Sequence, residues 1–158
     1  VTHDQEEALS IGDYMGVLNE GRLEQLDTPE RCFSMPASRF AARFLGEAAF
    51  VRGQLRDDQV ETPLGTAAAR PSASVDGEVE LLVRPDDLSL APAEAGNGEV
   101  VWSRYEGETR LYAVSVGGGA PLRVRTNHEV DLARGTPVRL GISAHHPLTV
   151  FPVEDARA

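Results

Sequence analysis

The chain has 158 residues, 41% of them apolar and 25% charged, a globular composition without the ~18-residue apolar run that a membrane-spanning helix needs. Asp and Glu total 25 against 15 basic residues, a formal charge of −10, which argues against nucleic acid as a partner because no cluster of positive charge stands out. Every basic residue is arginine; without lysine there is neither a lysine-ended phosphate loop nor a Schiff-base catalyst in these residues.

Residues 1–46 read as mixed α/β. Val1-Thr2 reads as the stump of a short parallel strand. Thr2 or Asp4 caps a helix over 5–11, with Glu6 and Glu7 in the first turn, where the helix dipole favours anions. Stretches 14–18 and 22–25 form a hairpin across Asn19-Glu20-Gly21. Thr28-Pro29-Glu30 opens a second helix, with threonine at the cap and proline at the first helical position. Pro36-Ala37-Ser38 opens a third. Phe40, Ala41, Phe44 and Leu45 recur on one face of it, and Gly46 stops it. Cys32 is the only cysteine, so no disulfide and no cysteine-rich zinc site is possible within the chain.

From Phe50 the apolar period changes from 3.6 to 2. Strands are expected over 50–55, 59–62, 66–69, 78–83, 98–105, 109–116, 122–126, 137–142 and 148–151, with residues 91–99 as the main internal loop. Many short, evenly spaced strands imply a small barrel or sandwich.

Few residues stand out chemically. His3 follows the strand stump, where α/β proteins place ligand contacts; its imidazole could bond a phosphate oxygen or a water, although residue type alone favours an ordinary surface histidine. Arg84, ahead of Pro85-Asp86-Asp87, either pins a turn or lines a ligand or subunit contact, and the turn chemistry of Arg-Pro-Asp favours pinning. Trp102 and Tyr105 flank Arg104 in a strand. A barrel can stack bases on such aromatics, but the negative charge leaves core or interface packing as their role. His145-His146 alternates between strand faces, so no metal site is expected there. Gly117-Gly118-Gly119 reads as a hairpin loop, not a phosphate cradle.

The string Val1-Thr2-His3-Asp4-Gln5-Glu6-Glu7-Ala8-Leu9-Ser10 resembles the switch (H-loop) segment of ABC transporter ATPases. The likeness to the importer subfamily of maltose, spermidine/putrescine, sulfate and ferric-iron transporters continues through Val17-Leu18-Asn19-Glu20-Gly21-Arg22, Thr28-Pro29-Glu30, Pro36-Ala37-Ser38-Arg39-Phe40 and Phe44-Leu45-Gly46. Departures are Tyr14 where arginine is usual, Asp27 where glycine is usual and Phe33 where tyrosine is common. Farther on, Arg84-Pro85-Asp86-Asp87-Leu88, Tyr105-Glu106-Gly107, Gly135-Thr136-Pro137-Val138 and Val150-Phe151-Pro152 resemble the TOBE (transport-associated OB) domain.

The resemblance implies a mainly β protein: residues 1–46 as the α/β tail of a nucleotide-binding domain, and residues 47–158 as an OB-like regulatory barrel. It implies that His3 is the catalytic switch histidine, contacting the ATP γ-phosphate only in a full-length protein that binds ATP and Mg. The other hydrolytic motifs are missing here, so no activity and no cofactor is expected of this chain alone. Arg84, Asp86, Trp102 and Tyr105 become regulatory or interface candidates. The implied partners are a second copy of the subunit and transmembrane permease subunits, at the cytoplasmic face of the membrane. The string Leu45-Gly46-Glu47-Ala48-Ala49-Phe50 leans toward the ferric-iron members. The first residue is not methionine, so a fragment is expected, with residues 1–12 either disordered or packed on another molecule. The alternative is a free-standing OB-like domain that binds a small ligand or oxyanion and has no ATPase activity.

Overall fold

The computed structural model describes residues 1–71 and 74–153, so the last five residues of the 47–158 region lie outside the described part. The chain begins with α1 (Gln5–Ile11), capped by the Asp4 carboxylate, which accepts from Glu7 N at 3.0 Å. Residues 1–2 form no strand, unlike the expected stump. Within the stretch 1–12, residues 5–11 are helical, and none of them is fully buried.

β1 (Met15–Asn19) and β2 (Arg22–Asp27) pair as a hairpin. Its turn holds Glu20 at φ 47 and Gly21 at φ 77, the left-handed pair that a two-residue hairpin needs. α2 (Pro29–Ser34) has Thr28 as its cap and α3 (Arg39–Phe44) has Ser38, whose hydroxyl accepts from Ala41 N at 3.1 Å. Met15, Val17, Cys32, Ala41 and Leu45 make a small core between the hairpin and these two helices.

β3 (Ala49–Arg56), β4 (Gln59–Thr62), β5 (Gly65–Pro71), β6 (Gly77–Val83) and β12 (Leu148–Pro152) close a barrel in the order β12-β5-β4-β3-β6. All its contacts are antiparallel except β5 with β12, which is parallel. The last two barrel strands thus exchange places, a Greek-key closure of the OB type. Between β6 and β12 the chain makes a 3₁₀ turn (Pro85–Asp87) and a second sheet. That sheet is built from β7 (Leu88–Pro92), β8 (Gly98–Tyr105), β9 (Thr109–Val116), β10 (Leu122–Asn127) and β11 (Pro137–Ile142), in the order β10-β9-β8-β11-β7. Its Val100, Tyr112, Val114, Val124, Val138 and Leu140 share one core with Val60, Val79, Leu81 and Val150 of the barrel.

β7 is the strand that turn signals concealed. The internal loop is therefore shorter than 91–99, since β7 runs to Pro92 and β8 begins at Gly98. Leu90 lies opposite Leu140. The Asn97 side chain then grips Leu140 from the loop, donating to its carbonyl at 2.8 Å and accepting from its amide at 2.7 Å.

Candidate functional site

Arg84 sits where the barrel meets the helices. Pro85 and the Asp87 carboxylate fix its backbone: Arg84 N donates to Asp87 Oδ2 at 2.8 Å, and Asp87 N donates back to Arg84 O at 3.0 Å. The side chain runs inward and is only 7% exposed. Its Nη2 donates to Phe33 O at 2.9 Å, and its Nη1 to Glu47 O at 3.1 Å and Ala42 O at 3.4 Å. Phe33 and Ala42 lie in the last turns of α2 and α3, whose free carbonyls carry the negative end of the helix dipole. The guanidinium carbon lies 3.7 Å from the centre of the Phe33 ring. Burial pulls the Arg84 pKa down to about 10, and the nearby Asp87 charge opposes that fall.

Arg39 makes the reverse connection, from α3 into the barrel. Its Nε and Nη2 donate to Glu80 Oε2 at 3.0 and 2.6 Å, and Nη2 also donates to the Pro152 carbonyl. Its guanidinium lies over Phe50 at 5.6 Å and over Phe151 at 5.3 Å. Ala42, Leu82 and Phe151 fill the apolar space between the two arginines, and Thr149 Oγ1 donates to Ser34 O at 3.1 Å. A hollow of about 170 Å³ beside Arg84 is lined in part by Ser34, Asp87, His146 and Thr149. There His146 Nε2 lies 3.3 Å from Asp87 Oδ1.

The other expected residues are dispersed. Asp86 is exposed and accepts from Arg125 Nη1 at 2.9 Å. Trp102 is half-buried under Arg123, 5.4 Å from its ring, and Arg123 pairs in turn with Glu47 of the linker. Tyr105 is 62% exposed, with Arg110 5.7 Å from its ring. Residues 102 and 105 point to opposite faces of β8, so Trp102 and Tyr105 form no joint stacking platform. Glu106 accepts from Arg104 and Arg125; the bond from Arg104, more than any other cause, holds its carboxyl below the usual range.

His3 is exposed at the start of α1, beside a hollow of about 640 Å³ that Ala8, Ile11, Tyr14 and Leu45 also line. Around it, Thr2 Oγ1 donates to Glu7 Oε2 at 2.6 Å and accepts from Asp4 N at 3.0 Å, which fixes the entry into the helix. Sequence reading did not single out Arg39, Phe33 or Thr149. Their partners lie far along the chain, so local pattern carries no signal for them; the Arg39–Glu80 bond spans 41 residues and the Thr149–Ser34 bond 115.

The closed five-stranded barrel with an inserted sheet and a helical N-terminal segment defines an OB-like domain, and the TOBE domain family matches residues 81–150. Over 156 residues the chain is 36% identical to the sulfate/thiosulfate import ATP-binding protein CysA of Xanthomonas campestris, covering 96% of this chain and 44% of that protein. It is 38% identical over 137 residues to the spermidine/putrescine import ATP-binding protein PotA 1 of Pseudomonas aeruginosa, covering 80% of this chain and 37% of that protein. A third relative, the sulfate/thiosulfate import ATP-binding protein CysA of Xylella fastidiosa, is 37% identical over 107 residues. The chain thus carries a TOBE match and is similar to the C-terminal region of ATP-binding subunits of ABC importers. It spans less than half the length of these relatives.

Proposed function

We propose that the chain serves as the C-terminal region of an ATP-binding subunit that drives solute import through a membrane permease. In this reading residues 1–46 complete the nucleotide-binding domain, and the barrel and its inserted sheet, from residue 47 onward, form a regulatory domain that contributes contacts to a second copy of the subunit. The subunit works at the cytoplasmic face of the membrane. ATP and Mg bind in the part of the subunit outside this chain, and His3 reaches the γ-phosphate from the start of α1. The relatives named above import different solutes, so the reading stops at the subunit type.

One observation carries it. Leu18, Leu23 and Leu26 on the outer face of the β1–β2 hairpin are 56%, 57% and 64% exposed, and Ile11 and Tyr14 nearby are 75% and 72% exposed. Met15 and Val17 on the inner face already have their core. A hairpin apolar on both faces belongs in a sheet covered on both sides, and one of those layers is not supplied by these residues. The remainder of a nucleotide-binding domain would supply it.

The test is ATP hydrolysis by the subunit containing this region, comparing wild type with His3→Ala. Loss of one preorganised group at a transferring phosphate lowers turnover by about 10²–10³-fold. A subunit that hydrolyses ATP equally well with alanine at this position would sink the assignment of His3.

A further inference from the structure

We propose that Arg84 and Arg39 form a reciprocal latch that holds the helical segment and the barrel as one rigid body, with Arg84 the positioning residue that sets the angle of α2 and α3 against β6. The inference rests on contacts within this chain and does not depend on the transporter reading.

Each side of the interface inserts one arginine into the other. From the barrel, Arg84 reaches carbonyls on three separate segments: Phe33 of α2, Ala42 of α3 and Glu47 of the linker. Three acceptors gripped by one planar fork fix an orientation, where a single bond would leave a pivot. The stack on Phe33 fixes the plane of that fork. From the helices, Arg39 enters between Phe50 and Phe151 and ends on Glu80.

The rest of the interface fits a latch. No carboxylate bonds the Arg84 guanidinium among the described residues; the carbonyl ends of two helices offset its charge instead, so the charge is satisfied only while both helices stay docked. Gly46 makes the space: a Cβ there would lie 3.2 Å from Arg84 Nη1 and 3.2 Å from the Phe33 ring. The arginine itself cannot swing away, because Asp87 and Pro85 hold its backbone and Ser143 N donates to Asp87 O at 2.8 Å.

Distance measurement between spin labels tests this. Arg22→Cys on the hairpin and Glu108→Cys on the far sheet are both exposed, while Cys32 is fully buried and its thiol is pushed up by burial, so labelling is selective. The expected result is one narrow distance distribution in the otherwise wild-type chain and a broad one in Arg84→Met and in Arg84→Lys. Lysine keeps the charge but offers a compact ammonium in place of the fork. Fluorescence of the lone Trp102 reports whether the barrel is folded. Should Arg84→Met not fold, Arg84→Lys decides. A folded Arg84→Lys or Arg84→Met chain with the wild-type distribution width overturns the proposal, and so does a broad distribution in the wild-type background.

Discussion

Arg84 and Phe33 meet twice: the guanidinium carbon lies over the ring, 3.7 Å from its centre, and Nη2 donates to the carbonyl of the same residue at 2.9 Å. The two contacts are separable by substitution. Phe33→Leu keeps the backbone acceptor and most of the apolar volume and removes only the π face. For a desolvated cation the expected loss is about 1–2 kcal/mol of unfolding free energy, read from urea denaturation. A change below about 0.3 kcal/mol would mean that the stack adds nothing beyond packing.

Arg39 and Glu80 form the second crossing of the same interface, with side chains only 13% and 17% exposed. Removing either partner breaks the ion pair, but the consequences differ. Glu80→Gln leaves Arg39 its two aromatic rings and the Pro152 carbonyl. Arg39→Met removes all of these and strands a carboxylate that is mostly buried. Arg39→Met is therefore expected to cost about 1.5–3 kcal/mol, and Glu80→Gln clearly less. Thermal or chemical unfolding of the two variants checks the order; the reverse order would place the stabilisation in the ion pair alone.

How far these contacts could be read from sequence differs by element. The helix starts were legible because capping is local: Ser38 and Thr28 sit beside the amides they accept from. Strands 59–62 and 137–142 were legible because period 2 survives wherever one face is wet. β7 was hidden by the prolines at 85 and 92, since residues 85–87 and 91–99 read as turn and loop. The runs Leu81-Leu82-Val83 and Leu148-Thr149-Val150-Phe151 are continuously buried, a sign of strands covered on both faces. They show that something lies on the outside of the barrel but not that it is α2 and α3. Arg84 was legible as a turn residue; its role as a cap for two distant helices was not, because nothing in a local window places residues 33, 42 and 47 around it.

Glu106 gives a pH dependence whose sign follows from its shift. Its carboxyl is held below the usual 4.5, chiefly by the bond from Arg104, with Arg125 adding to it. A carboxylate with a lowered folded-state pKa contributes fully above its unfolded value and loses that contribution as pH falls through the folded one. Wild type should therefore lose more melting temperature than Glu106→Gln between about pH 5 and about pH 3. Glu24 is lowered in the same direction by bonds from Ser38 and Asn19, so adding Glu24→Gln should flatten the acid limb further. Parallel acid limbs for all three chains would show that neither carboxylate matters to folding.

The outer face of the β1–β2 hairpin separates a bare surface from a hidden one. Leu23 and Leu26 lie in the same strand and are mostly exposed, their methyl groups resting above Gly16, whereas Val17 on the inner face is 2% exposed. Threonine is β-branched and favours strand, so Leu23→Thr with Leu26→Thr should change the stability of this chain by no more than about 0.5 kcal/mol per site. It should also reduce self-association measured by light scattering, because it removes an exposed apolar patch. Val17→Ala deletes buried methyl groups and should cost about 2 kcal/mol. In a longer subunit whose remaining layer packs on the hairpin, the two threonines become buried polar substitutions and should be costly as well. If they already destabilise this chain by more than about 1.5 kcal/mol, the outer face is packed within it, and the argument for a further covering layer fails.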